Sequence, residues 1–169
     1  MHKKETVFIV DDEPMHAQMM EDYLKQKFPS FTIYKYSTGE ECNENMDKNP
    51  GIIILDYHLN AIDKSARNGA QILEHIRRKY EDTVVIMISG QDKIEVAVDC
   101  MRVGAYDYIT KNETAFIRTE NAISRLFQHR TVVHNMKKYR RWYQLLMWGI
   151  LVIVAGTLLL TITGALKLQ

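Results

Sequence analysis

The sequence predicts an α/β fold built on a doubly wound parallel sheet, and three observations predict it. Short β-rich apolar runs recur five times, each is followed by a segment of helical period, and the five pairs fit within about 130 residues. Strands alternating with helices in this way give a parallel sheet with helices on both faces.

In chain order, Val7 to Val10 is the first strand, and Pro14 suits the start of the helix from Met15 to Phe28. Phe31 to Tyr36 is the second strand, with a helix from Gly39 to Met46. The third strand, Ile52-Ile53-Ile54-Leu55, is continuously apolar, and its helix runs from Gly69 to Tyr80. Val84 to Ile88 and Tyr106 to Ile109 are the fourth and fifth strands. Ile94 to Val103 and the segment from Thr114 onward are the matching helices.

The chain has 169 residues, 46% of them hydrophobic, with 22 basic and 21 acidic side chains. Collagen-like, disordered and disulfide-scaffold classes are excluded by that composition. The balanced charge hides a division: residues 1 to 113 carry 14 basic and 20 acidic groups, whereas 114 to 144 carry seven basic and one acidic. Cys42 and Cys100 lack CxxC spacing and read as buried thiols. The first residues enter a strand without the apolar stretch of a secretory signal, so the first domain is expected in the cytoplasm.

In doubly wound sheets, sites form at the carboxyl ends of the strands. Asp11, Asp12 and Glu13 follow the first strand, Asp56 the third, Ser89 the fourth and Lys111 the fifth. An acidic pair before Pro14 would by itself be a solvated helix cap. Asp56 changes this, because a carboxylate brought beside Asp11 and Asp12 meets like-charge repulsion, and three clustered carboxylates call for a cation. Hard oxygen donors with room for water and phosphate suit Mg²⁺ better than a metal needing His or Cys. Lys111 then supplies a point positive charge, and Ser89 a hydroxyl, where a phosphoryl group on Asp56 would carry its oxygens.

The set VFIVDDEP, IIILDYH, VVIMISG and GAYDYITK, in that order and with NGAQILEHIR opening the third helix, resembles the receiver domain of two-component response regulators over about residues 5 to 129. The resemblance implies a five-stranded (βα)₅ sheet. It implies Asp56 as the phosphoacceptor, charged by a histidine kinase or phosphotransfer protein. It further implies that Asp11, Asp12, Asp56 and the main-chain carbonyl of His58 hold Mg²⁺, that Ser89 and Lys111 ligate the phosphoryl oxygens, and that Ser89 and Tyr108 form the switch. Read from the sequence alone, the competing reading of Tyr108 is simply a strand aromatic. His2, His16, His75, His129 and His134 show no ligand spacing and are assigned no chemistry. Two departures stand out: the stretch from Tyr57 to Asn68 is longer than usual, with Asn60 where a proline is common. Asn112 follows Lys111 where the family generally has a cis proline, so a trans connection is expected.

From Leu145 to Leu166 the chain is uncharged for 22 residues, its only polar side chains being Thr157, Thr161 and Thr163. At about 1.5 Å per residue such a helix spans a hydrocarbon core. Lys137, Lys138, Arg140 and Arg141 upstream, against Lys167 downstream, orient the large domain to the cytoplasm, and Trp142, Tyr143 and Trp148 fit the interfacial belt. The expected organisation is a receiver over 1–129, a basic helical linker over 130–144 and a transmembrane helix over 145–166. The expected location is the inner, cytoplasmic membrane in a single pass.

Nothing after the receiver resembles a helix-turn-helix, a cyclase or a kinase, so nucleic acid is not an expected partner. The expected contacts are anionic lipid along the basic stretch and homodimerisation through the fourth helix, fifth strand and fifth helix. The sequence is read as a signalling protein, not an enzyme beyond catalysing its own phosphorylation. Tyr57 and His58 stand where a haloacid-dehalogenase phosphatase needs a second Asp, and GxGxxG is missing after the first strand. The remaining alternative is a phosphorylation-independent membrane scaffold that keeps only the fold.

Overall fold

The computed structural model describes residues 5–59, 68–129, 144 and 146–148. Five strands, β1 (Glu5–Val10), β2 (Phe31–Tyr36), β3 (Ile52–Asp56), β4 (Val84–Ser89) and β5 (Asp107–Thr110), form one sheet in the order β2-β1-β3-β4-β5. Every pairing is parallel. Four helices lie between them, α1 (Pro14–Lys27), α2 (Gly39–Glu44), α3 (Gly69–Lys79) and α4 (Ile94–Val103), and residues 115–129 form α5. The expected five-stranded parallel α/β sheet is therefore the observed one.

Both faces of the sheet are covered, which is why the central strands are continuously apolar up to their carboxyl ends, over Val7–Val10, Ile52–Leu55 and Val84–Ile88. Phe8, Val10, Ile53, Leu55, Val85 and Met87 pack with Cys42 of α2, Ile72, Leu73 and Ile76 of α3, and Cys100 of α4. Side chains alternate along a strand, so Val7, Ile9, Ile52, Ile54, Ile86 and Ile88 point to the other side, where they are equally buried. Ala17, Met20 and Leu24, at helical spacing, form the buried stripe of α1.

Local chemistry sets the element ends. Asn68 and Gln71 make a reciprocal capping box that starts α3. Thr38 accepts from the Glu41 amide to start α2. Gly104, at φ 111°, closes α4 in a left-handed cap that Cβ-bearing residues resist. α2 stops short of the predicted Met46. The Asn45 side chain donates to the Glu41 carbonyl, and the chain tightens into a single 3-10 turn, Met46–Lys48, closed by left-handed Asn49 at φ 50°.

β3, β4 and β5 each run one residue beyond the last apolar position, because ladder pairing rather than hydrophobicity decides where a strand ends. Asp56 pairs with Ile88, and Ser89 with Thr110. Among the described residues there is no cis peptide bond, so the Lys111–Asn112 connection is trans as expected. The chain divides into two compact units, Met1–Ile123 and Ser124–Gln169. Among the described residues no helix is long and apolar enough to cross a membrane. Most of the apolar run 145–166, all of 130–143 and the Asn60 to Arg67 part of the long loop lie outside the described residues.

A Cβ on Gly69 would lie 2.1 Å from the Asp56 carbonyl oxygen and 2.8 Å from the Tyr57 Cα, both backbone atoms, whereas one on Gly90 would meet nothing within 4 Å. Gly69→Ala is therefore expected to destabilise the fold by about 1–3 kcal/mol, the scale of overpacking. Gly90→Ala should leave the urea midpoint nearly unchanged, and paired denaturation curves check both.

Candidate functional site

Two strand ends deliver three carboxylates to one pocket. Asp11, directly after β1, is anchored by its amide, which donates to the Tyr36 carbonyl at 3.0 Å. Asp56 is the last residue of β3, and the following Tyr57 amide donates to the Ile88 carbonyl at 2.8 Å. Asp12, beside Asp11, completes a set whose oxygens all lie within 4.8 Å of one another. Asp11 and Asp56 are buried, and Asp12 is half-buried.

Lys111 reaches the same point from β5. Its amide donates to the Ser89 carbonyl at 2.7 Å, continuing the β4–β5 ladder. Its Nζ then lies 2.6 Å from Asp56 Oδ2 and 2.9 Å from Asp11 Oδ2. The other oxygens are held by main chain: the His58 amide donates to Asp56 Oδ1 and the Glu13 amide to Asp11 Oδ1, each at 3.0 Å. Burial alone would lower the Lys111 ammonium, but hydrogen bonds and charge from Asp56 and Asp11 outweigh it and raise its pKa. Burial alone would raise the Asp11 carboxyl. The bonds from His16 and Lys111, the Lys111 charge and the Glu13 amide overcome this and hold it low.

Ser89 and Tyr108 lie beside the carboxylates. Ser89, fully buried at the end of β4, accepts from the Gln91 amide at 3.1 Å through Oγ. The Tyr108 side chain is turned inward, 9% exposed, and its hydroxyl donates to the Gln91 carbonyl at 3.0 Å. Both residues thus hold the same loop after β4, and Tyr108 also packs in the core cluster of that face.

The sequence reading missed His16. Its Nδ1 is 2.6 Å from Asp11 Oδ2, so it belongs to the pocket although no ligand spacing marks it. The signal was available in the helix period: two residues after Pro14 at the head of α1, a side chain is carried back toward the strand that precedes it. Cys42 and Cys100 are free and buried as expected, and burial pushes the Cys42 thiol up to about 12.

The family model of the response regulator receiver domain matches residues 7–119, two thirds of the chain, and its span contains every residue of this pocket. The chain belongs to the receiver domain family. It is 33% identical over 129 residues to the nitrogen assimilation regulatory protein NtrX of Azorhizobium caulinodans, covering 75% of this chain and 28% of that protein. It is 36% identical over 106 residues to the regulatory protein VanR of Enterococcus faecium, covering 62% and 42%. The crystal structure of the receiver domain of NtrX from Brucella abortus superposes with a TM-score of 0.60 at 25% identity, over 70% of this chain and 98% of that one. The chain thus spans less than half the length of these two curated relatives.

Receiver domains interact with histidine kinases or phosphotransfer proteins and generally bind Mg²⁺ at an acidic pocket. The donor set here fits that ion. All three donors are hard carboxylate oxygens, with no sulfur among them. Ligands on Mg²⁺ at 2.0–2.1 Å stand at most about 4.2 Å apart, so the observed spread closes with small side-chain rotations.

Two outcomes follow. Mg²⁺ at ten times its Kd should stabilise the fold by about 1.4 kcal/mol, a rise of a few degrees in Tm, and Asp12→Asn should remove most of that rise. Without divalent cation, the stability contributed by Lys111 is fully present below its ordinary pKa of 10.5 and is lost as pH climbs through its raised value. Melting curves taken across the alkaline range should show that decline, and Lys111→Met should flatten it.

Proposed function

We propose that this chain is a membrane-tethered response regulator receiver that accepts a phosphoryl group on Asp56 and signals by protein contact. The observation that carries the reading is Lys111 Nζ at 2.6 Å from Asp56 Oδ2 inside a cluster of three carboxylates. A lysine that contacts both buried acids is already beside the oxygens that an incoming phosphoryl group would bring.

In this reading a carboxylate oxygen of Asp56 forms a bond to phosphorus while the P–N bond of a partner's phosphohistidine breaks. The bonding pair returns to the imidazole nitrogen. Charge spreads over the three phosphoryl oxygens, so positioning and neutralisation carry the catalysis. Lys111 moves from the carboxylates to one of those oxygens, and the Ser89 hydroxyl donates to another. Asp11, Asp12, Asp56 and the main-chain carbonyl of His58 hold Mg²⁺, which supplies neutralising charge to the phosphoryl oxygens. The chain's only chemistry is its own phosphorylation, and it is not a metabolic enzyme.

Two features support the output. Ser89 and Tyr108 share the loop that carries Gln91, so a Ser89 hydroxyl drawn to a phosphoryl oxygen releases or tightens the Tyr108 contact. Tyr108 also lines a groove of about 570 Å³ with Ile94, Ala97, Val98, Met101 and Thr110. Ile94, Val98 and Met101 of this groove are exposed, which suits homodimerisation or partner docking through α4, β5 and α5.

Tethering rests on the sequence of 145–166, with a basic linker over 130–144 against anionic lipid. The described part of that run, Leu146, Met147 and Trp148, is helical and exposed. The location proposed is the cytoplasmic membrane, with the receiver on the cytoplasmic side and no nucleic acid partner.

The test is intact mass of the full chain in detergent after incubation with Mg²⁺ and a small acyl-phosphate donor. One phosphoryl adduct is expected, absent from Asp56→Asn and from an EDTA control. A folded chain that gains no adduct would instead be a phosphorylation-independent scaffold. Flotation with anionic vesicles, lost on deleting 145–169, tests the tether separately.

A further inference from the structure

Asp11 is held from three sides, and one of the three holders comes from outside the machinery described above. The Glu13 amide takes Oδ1, while Lys111 and His16 both approach Oδ2, at 2.9 and 2.6 Å. A carboxylate oxygen only accepts, so Nδ1 of His16 carries the proton and donates it. Two donors already sit against Oδ2, so a cation that takes Asp11 through this oxygen displaces one of them.

Lys111 is the donor that leaves. It carries a full positive charge beside the incoming cation, and the phosphoryl oxygens offer it a new partner. His16 has no such alternative. It lies at the head of α1 with its side chain only 16% exposed, and its ring rests against Phe116 of α5 at 5.6 Å between centroids. Phe116 in turn stacks on Tyr23 at 5.7 Å, and the Tyr23 hydroxyl donates to Glu120 at 2.6 Å. The imidazole is therefore braced from behind by packing between α1 and the start of α5.

We propose that His16 is a positioning residue for the cation: braced on Phe116, it keeps the Asp11 carboxylate turned into the pocket after Lys111 moves to the phosphoryl group. This rests on the Mg²⁺ reading given above. Metal-binding carboxylates are themselves hydrogen-bonded, and loss of such an outer partner typically costs 10–100-fold in metal affinity. The same bracing links the metal site to α5, the element nearest in sequence to the basic stretch. A filled site thereby fixes His16 against Phe116, and an empty one leaves the imidazole shared with a lysine-bound carboxylate.

Calorimetric titration of Mg²⁺ into the full chain in detergent separates the hydrogen bond from the packing. His16→Leu keeps apolar bulk against Phe116 and removes the donor. His16→Asn places an amide N–H at the position of Nδ1 and removes most of the bulk. The expected result is Mg²⁺ affinity weakened on the order of tenfold in His16→Leu and largely retained in His16→Asn. In an Asp11→Asn background, His16→Leu should cause no further loss, because the partner it serves is already changed.

The reverse pattern, with His16→Leu binding like the unaltered chain or His16→Asn the weaker of the two, would make His16 a packing residue and overturn the proposal. If His16→Leu does not fold, His16→Gln, whose amide N–H lies beyond the position of Nδ1, takes its place in the Asp11→Asn cycle: additive losses overturn the coupling. Failure of the unaltered chain to bind Mg²⁺ at all would overturn the metal reading and this inference with it. Equal affinity in the unaltered chain and His16→Leu removes this inference alone.

Discussion

The contact between Lys111 and two buried carboxylates is the constraint on which the rest of the molecule depends. Asp11 and Asp56 are each about 5% exposed or less, and two ionised carboxylates so placed would repel and lose hydration with nothing in return. One ammonium touching both offsets much of that cost, but only if three strands end at matching heights. The ladder supplies the match: Asp11 is fixed to Tyr36 on β2, Asp56 faces Ile88 on β4, and Lys111 donates its amide to Ser89. A slip of one residue in β5 would turn Lys111 to the other face and leave the acids uncompensated. The sheet is, in this sense, a device for holding register.

The pocket is also open to two faces of the molecule. On one side Ser89 and Tyr108 share the loop after β4, beside the exposed apolar residues of α4. On the other, Asp11 leads through His16 to Phe116 and Tyr23, between α1 and α5. Gly69 adds a close constraint at the centre, since the start of α3 approaches the Asp56 backbone too tightly for any side chain. The acceptor strand is thus fixed from its own crossover as well as from its neighbours.

Much of the fold was legible in the residues. α4 begins and ends where its apolar period does, Ile94–Val103, and β2 fills Phe31–Tyr36 as predicted. The misplacements were small and had local causes. Asn45 drew a backbone carbonyl away from α2, and the strand ends at Asp56 and Ser89 took polar residues that a hydrophobicity reading stops short of. In the site, Asp11, Asp12, Asp56, Ser89 and Lys111 were legible because each follows an apolar run, which marks a strand's carboxyl end. Tyr108 was ambiguous because an aromatic in a strand has the same pattern whether it packs or switches. His16 was missed, since the one signal for its contact with Asp11 is its place at the head of α1, not a ligand spacing.

By itself the sequence determined the order of strands and helices and the placing of acids, serine and lysine at strand ends, because alternation and period are local properties of the chain. It also determined the uncharged run near the carboxyl end, which depends on composition alone. Only the tertiary structure decided which oxygen of which carboxylate Lys111 meets, that Tyr108 turns inward to Gln91, and that a histidine on α1 shares Asp11 with Lys111. Those facts depend on distances of 2.6 to 3.0 Å between residues up to 100 positions apart. Register and helix packing fix such distances, and neither is a property of any single segment.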